Sequence, residues 1–112
     1  MTLSVNTSGS QTATISTEHT LATVTSANVL QLAVDVANMV GGTTPDILEL
    51  REYGKARSSD TERLIKTYTV IGAQVETLVL TIPRISPHSY KVTLKQTQGT
   101  GRAFPWAIYQ AQ

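Results

Sequence analysis

The sequence predicts an all-β domain: an antiparallel β-sandwich or jelly-roll-like barrel of about seven to eight strands. Three observations lead there. Apolar residues recur at every second position through most of the chain, the period of a strand buried on one face. These segments, each about 5–10 residues long, are divided by short Gly, Pro, Ser and Asp links. No link is long enough for a parallel crossover, so neighbouring strands must run antiparallel. A chain of 112 residues forms one such domain and buries enough surface for one core.

Residues 2–17 are almost wholly Ser, Thr, Asn, Gln and Gly with isolated apolar residues. They read as an arm ordered against a partner or as a weak edge strand. The division is therefore an extended arm over 1–17 and a single β-sandwich domain over 18–112. Over 28–40, Leu30, Leu32, Val34 and Val36 alternate with Val29, Gln31, Ala33 and Asp35; β-branched content favours strand over helix. Gly41-Gly42-Thr43-Thr44-Pro45-Asp46 is a turn. Alternation resumes from Asp46 to Lys55, with Leu48 and Leu50 facing one way and Ile47, Glu49 and Arg51 the other. Ser58-Ser59-Asp60 interrupts it, and 62–72 returns as a strand, completing a hairpin that carries Glu49, Arg51, Glu52, Lys55, Arg57, Arg63 and Lys66. The next strand, 75–82, puts Leu78, Leu80 and Ile82 on one face, and Pro83 and Pro87 bracket a loop. Tyr90, Val92 and Leu94 then oppose Lys91, Thr93 and Lys95. Gly99-Thr100-Gly101 gives a tight reversal into a closing strand with Phe104 and Trp106 on one face. Pro105 between them lacks a ladder donor, which suggests an edge strand and a subunit contact at Trp106.

Composition excludes several functions. The formal charge is +1 and charged residues are only 15% of the chain, so no strong field steers it to nucleic acid or an anionic membrane. Polarity comes instead from 18 Thr and 9 Ser, a surface suited to packing against neighbours. Cysteine is absent, removing disulfides and thiolate metal sites. No apolar run approaches the ~20 residues that span a bilayer, and the N-terminus has no basic-then-apolar signal sequence. The expectation is a soluble chain made inside the cell.

No chemistry stands out. His19 and His88 form no paired metal motif, and Asp35, Asp46 and Asp60 are not in a calcium-loop run. No Gly-x-Ser-x-Gly elbow occurs. Glu49, Glu52, Glu62 and Glu76 offer carboxylate pairs, but they alternate with Lys and Arg and read as a solvated, salt-paired face. Arg51, Lys55, Arg57 and Arg63 are offset by Glu49, Glu52, Asp60 and Glu62, which argues against nucleic acid. Neither an enzyme nor a metal- or cofactor-binding protein is expected.

Three segments together carry a resemblance. They are Leu30-Gln-Leu-Ala-Val-Asp-Val-Ala-Asn-Met-Val-Gly-Gly, Asp46-Ile-Leu-Glu-Leu-Arg, and Val92-Thr-Leu-Lys-Gln-Thr-Gln-Gly-Thr-Gly-Arg-Ala-Phe-Pro-Trp. Over about residues 28–109 the chain resembles a family of small structural proteins of tailed bacteriophages. The resemblance implies a virion protein, foremost a capsid decoration (cement) protein. Such a β-sandwich trimerises on the capsid exterior, binds the major capsid protein, and is made in the host bacterial cytoplasm. On that reading the partner contacts fall on Leu3, Val5 and Ile15 of the arm, on Arg51, Tyr53, Arg57 and Arg63 of the hairpin, and on Trp106. Two alternatives accompany it: a tail or head–tail connector component, and a host-glycan-binding attachment module using exposed aromatics.

Overall fold

The computed structural model describes residues 3–26, 28–86 and 88–111. Nine strands form two antiparallel sheets: β1 (Leu3–Thr12), β2 (Glu18–Val24), β3 (Asn28–Asp35), β4 (Ile47–Gly54), β5 (Arg63–Ile71), β6 (Leu78–Leu80), β7 (Arg84–Ser86), β8 (Tyr90–Gln98) and β9 (Ala103–Ala111). The first sheet has the order β1-β9-β3-β6, with β7 also on β3; the second is β2-β8-β4-β5. β6 pairs with residues 33–35 of β3 and β7 with residues 28–30. The two short strands are thus successive halves of one edge. The principal extents of 44 × 30 × 19 Å fit two sheets stacked about 10 Å apart with their side chains. This is the antiparallel β-sandwich the alternation predicts.

The core comes from the two central strands of each sheet. Leu30, Leu32 and Val34 of β3, Leu48 and Leu50 of β4, Tyr90, Val92 and Leu94 of β8, and Phe104 and Ile108 of β9 are all essentially inaccessible to water. Each aliphatic side chain so buried contributes roughly 1.5–3 kcal/mol. Edge strands add little: β1 is exposed along nearly its whole length, and β5 buries only Val70. Local chemistry ends β3. Asp35 Oδ1 accepts from the Ala37 amide at 2.9 Å, an Asx-type turn, and Met39 N–H donates to the Val36 carbonyl at 3.1 Å. Val36 and Met39 still reach the core.

Of the two readings of the N-terminal segment, arm or weak edge strand, residues 3–12 form the edge strand, in register with β9 from Leu3↔Ala111 to Thr12↔Ala103; the backbone ladder holds what apolar burial does not. The placement of the closing strand changes. β9 is no edge, since β1 flanks it on one side and β3 on the other. Pro105 lies one residue past the end of the β3–β9 register at Val34↔Trp106, where a donor aimed at β3 would find no partner. Leu78, Leu80 and Ile82 share one side as expected, and that side points to solvent, each more than half exposed, while Thr81 turns inward and is buried. Pro87 lies outside the described residues.

Candidate functional site

The outer face of the second sheet is polar and internally paired. Glu18 on β2 accepts from Tyr53 Oη and Thr93 Oγ1, each at 2.6 Å, and from Arg51 Nη1 at 3.3 Å. Arg51 also reaches Glu49 at 3.2 Å. Lys91 bridges to Glu62 at 2.9 Å and lies 4.5 Å above the Tyr53 ring. Partial burial alone would raise the Glu18 pKa, but the hydrogen bonds from Thr93 and Tyr53 and the nearby Arg51 charge outweigh it and hold the carboxyl below its ordinary value. Pairs this exposed contribute about 0–1 kcal/mol each.

Two carboxylates are different, because both are shielded from water. Asp46, just before β4, accepts from Val40 N–H at 2.9 Å, Thr100 N–H at 3.2 Å and Arg102 Nε at 2.9 Å. These bonds overcome the cost of its burial and lower its pKa. Beside it Gln96 donates to the carbonyls of Gln98 and Thr100 and accepts from Arg102 N–H at 3.0 Å. The glycine pair follows from this packing. Gly99 has φ +96°, and a Cβ there would lie 1.9 Å from Asp46 Oδ1; one on Gly101 would lie 2.3 Å from the Ala13 carbonyl.

Glu52, near the other end of β4, is fully buried, which corrects its placement on a solvated face. Its Oε1 accepts from Arg84 Nε at 3.1 Å and its Oε2 from the Tyr90 hydroxyl. Tyr68 Oη joins them, accepting from Ile82 N–H at 3.1 Å and Arg84 Nη2 at 3.4 Å. Burial, and then the bond to Glu52, drive the Tyr90 pKa upward, so the phenol stays protonated. For Arg84 burial works against the charge, but the Glu52 partnership prevails and raises its pKa. The strand period held the clue: Leu48, Leu50 and Glu52 share one face.

The outer face of the first sheet is rich in apolar side chains, with Gln31, Asp35 and Ser8 among them. One cross-strand rung runs Leu3–Ala111–Val29–Ile85 through four strands. The next is Val5–Tyr109–Gln31, and a third includes Ala107–Ala33–Leu80. Leu3 is 72% exposed, Ile85 82%, Leu78 58% and Leu80 55%. Val5, Val29 and Tyr109 are exposed beside them, and a cluster of exposed apolar side chains is the kind of surface that marks an interaction site.

The residues expected at partner contacts divide among these surfaces. Leu3 and Val5 belong to the apolar face, whereas Arg51 and Tyr53 lie on the opposite, polar one. Ile15 sits exposed in the β1–β2 link. Arg57 pairs with Asp60 at 2.9 Å in the β4–β5 link, and Arg63 opens β5. Trp106 is half-buried against the core, its indole over Gly9 of β1. No single flat contact can use all eight. Val29, Ile85 and Tyr109, which the sequence reading did not select, complete the apolar rungs.

Among the described residues no group of three His, Cys, Asp or Glu is placed to hold a metal ion. His19 Nε2 accepts from Thr14 N–H at 3.1 Å, bracing the β1–β2 link. No family model, curated protein or solved structure matches the chain.

Proposed function

We propose that this chain is a structural protein of a tailed-phage virion, a capsid decoration protein that seats on the major capsid protein and on copies of itself. The observation that carries the reading is the apolar outer face of the first sheet, an area that favours burial in an assembly over exposure. The strand winding supports it. With β6 and β7 taken as one edge, β1-β9-β3-β6 over β2-β8-β4-β5 is the order of a jelly roll, an architecture that recurs in viral capsids and lectins. That support is analogy at the level of fold. The resemblance over residues 28–109 gives it direction.

The apolar rungs meet capsid or neighbouring copies, three around a closed ring being the expected number, while the salt-paired sheet faces solvent. The chain acts by binding, without catalysis. A glycan-binding role is less well served: of the aromatic residues described, Tyr109 is the most exposed, at 42%, while the others are buried or half-buried, and one ring makes no sugar platform. The test is particle occupancy of the Leu3→Asp/Ile85→Asp double variant. It should fold, by circular dichroism, and be missing from purified particles that carry the parent protein on the capsid exterior. Undiminished occupancy of the variant would reject the apolar face as the docking surface, and parent protein found only on tails would reject decoration.

A further inference from the structure

We infer that the free edge of β5, together with the groove beside its first residues, takes an extended acidic segment of a partner chain by strand addition. β5 is the outermost strand of its sheet, nine residues long and exposed almost throughout. Its unused backbone donors and acceptors are a template for one more strand. Next to it the sandwich opens into a groove of about 270 Å³ lined by Leu64, Ile65, Ile85, Tyr90 and Ser86. Ser86 is only 3% exposed, yet its hydroxyl has no hydrogen-bond partner among the described residues. A buried, unpaired hydroxyl in an apolar groove is an unmet polar demand that an incoming carbonyl or carboxylate would meet.

Charge selects the occupant. Lys55 and Arg63 also line the groove, and neither has an ion pair among the described residues. The nearby acids are already engaged: Asp60 with Arg57, Glu62 with Lys91 and Glu52 with Arg84. Lys66, further along β5, lies 5.3 Å from the Tyr68 ring and has no ion pair among the described residues. A second copy is a poor fit, because pairing two β5 strands would join edges that each bring Lys55, Arg63 and Lys66 with no free acid between them. An extended segment alternating aliphatic and acidic residues fits both features. Its aliphatic side chains enter the groove, and its carboxylates meet the free cations along the rim.

The test uses the full chain and a fluorescein-labelled synthetic peptide, Glu-Ile-Glu-Val-Glu-Ile. Two controls accompany it: Lys-Ile-Lys-Val-Lys-Ile, and the acidic peptide with alternate backbone nitrogens methylated. Anisotropy should show saturable binding to the acidic peptide, at least about tenfold weaker for each control. Amide exchange should slow in residues 63–67. The Lys55→Glu/Arg63→Glu variant should bind about tenfold more weakly with an unchanged melting temperature. Ile85→Glu, which alters the groove wall and not the edge, should also weaken binding. Equal binding of the basic peptide, full binding of the methylated one, or protection on β1 and β9 in place of β5 would overturn the inference. So would a concentration-dependent dimer with slowed exchange in β5, which would assign the edge to a second copy.

Discussion

Asp46 and Glu52 are six residues apart, at the two ends of β4, and both are buried, yet their partners differ in kind. Asp46 is held by backbone amides from two separate loops, with Arg102 closing over it. Main-chain donors fix the path of the chain, and Gly99 and Gly101 allow that path to come close. Glu52 is held by side chains from β7 and β8. That arrangement ties a short edge strand across the open side of the sandwich while leaving a groove beside it. The same chemistry thus seals one end of the molecule and props the other open.

The sharpest way to break this contrast is at the sealed end. Gly99→Ala places a methyl group within the Asp46 carboxylate at a backbone angle that disfavours side chains, and Asp46→Ala leaves Arg102 and two amides unpaired. Each should cost about 3–5 kcal/mol in urea denaturation; a loss below about 1 kcal/mol would show that the end is not rigid. At the open side, Glu52→Gln keeps the shape and removes the charge, and about 2–4 kcal/mol should be lost. There the Glu52→Leu/Arg84→Met pair should recover most of the loss, since apolar groups of similar volume replace a buried ion pair at little net cost. A double variant no better than Glu52→Leu alone would mean that Arg84 does more than neutralise Glu52.

A smaller effect is expected in acid. The folded-state pKa of Asp46 lies below its ordinary 3.8, so its stabilisation is complete above that value and is lost as pH falls through the lower, folded-state pKa. Asp46→Asn should flatten the stability profile below about pH 4, and an unchanged acid limb would contradict the assignment. Smallest of all, Arg51→Ala on the salt-paired face should change stability by no more than about 1 kcal/mol, less in high salt.

Where the two sides of a strand differ in polarity, the sequence placed residues correctly. Leu30, Leu32 and Val34, Leu48 and Leu50, and Tyr90, Val92 and Leu94 all point inward as their alternation predicts. It failed where a second force competes. Glu52 lies in phase with Leu48 and Leu50, but its charge argued for solvent. Alternation put Leu78 and Leu80 on one face without a direction; they face out, because Thr81 Oγ1 accepts from Leu32 N–H at 3.0 Å and commits the other side to the interior. β1 has no apolar period to read, since its ladder to β9 is backbone chemistry. Trp106 looked like an edge contact because Pro105 precedes it, while the strand order that encloses β9 depends on pairings distant in sequence. The apolar outer face was missed for the same reason: Leu3, Val29, Ile85 and Ala111 come together only through register.

The pairing of β1 with β9 also sets an order of events. β1 cannot find its partner until every residue between them has been synthesised, so the first sheet closes only after the rest of the domain can form. Contacts of such long sequence separation make folding slow, and an unpaired strand that must wait is an aggregation hazard. The run Ser-Gln-Thr over 10–12, like Asn-Thr-Ser-Gly over 6–9, is poor in the apolar side chains that would make the wait dangerous. The hydroxyl-rich strand that contributes almost nothing to the core is therefore suited to remaining soluble in a chain not yet complete.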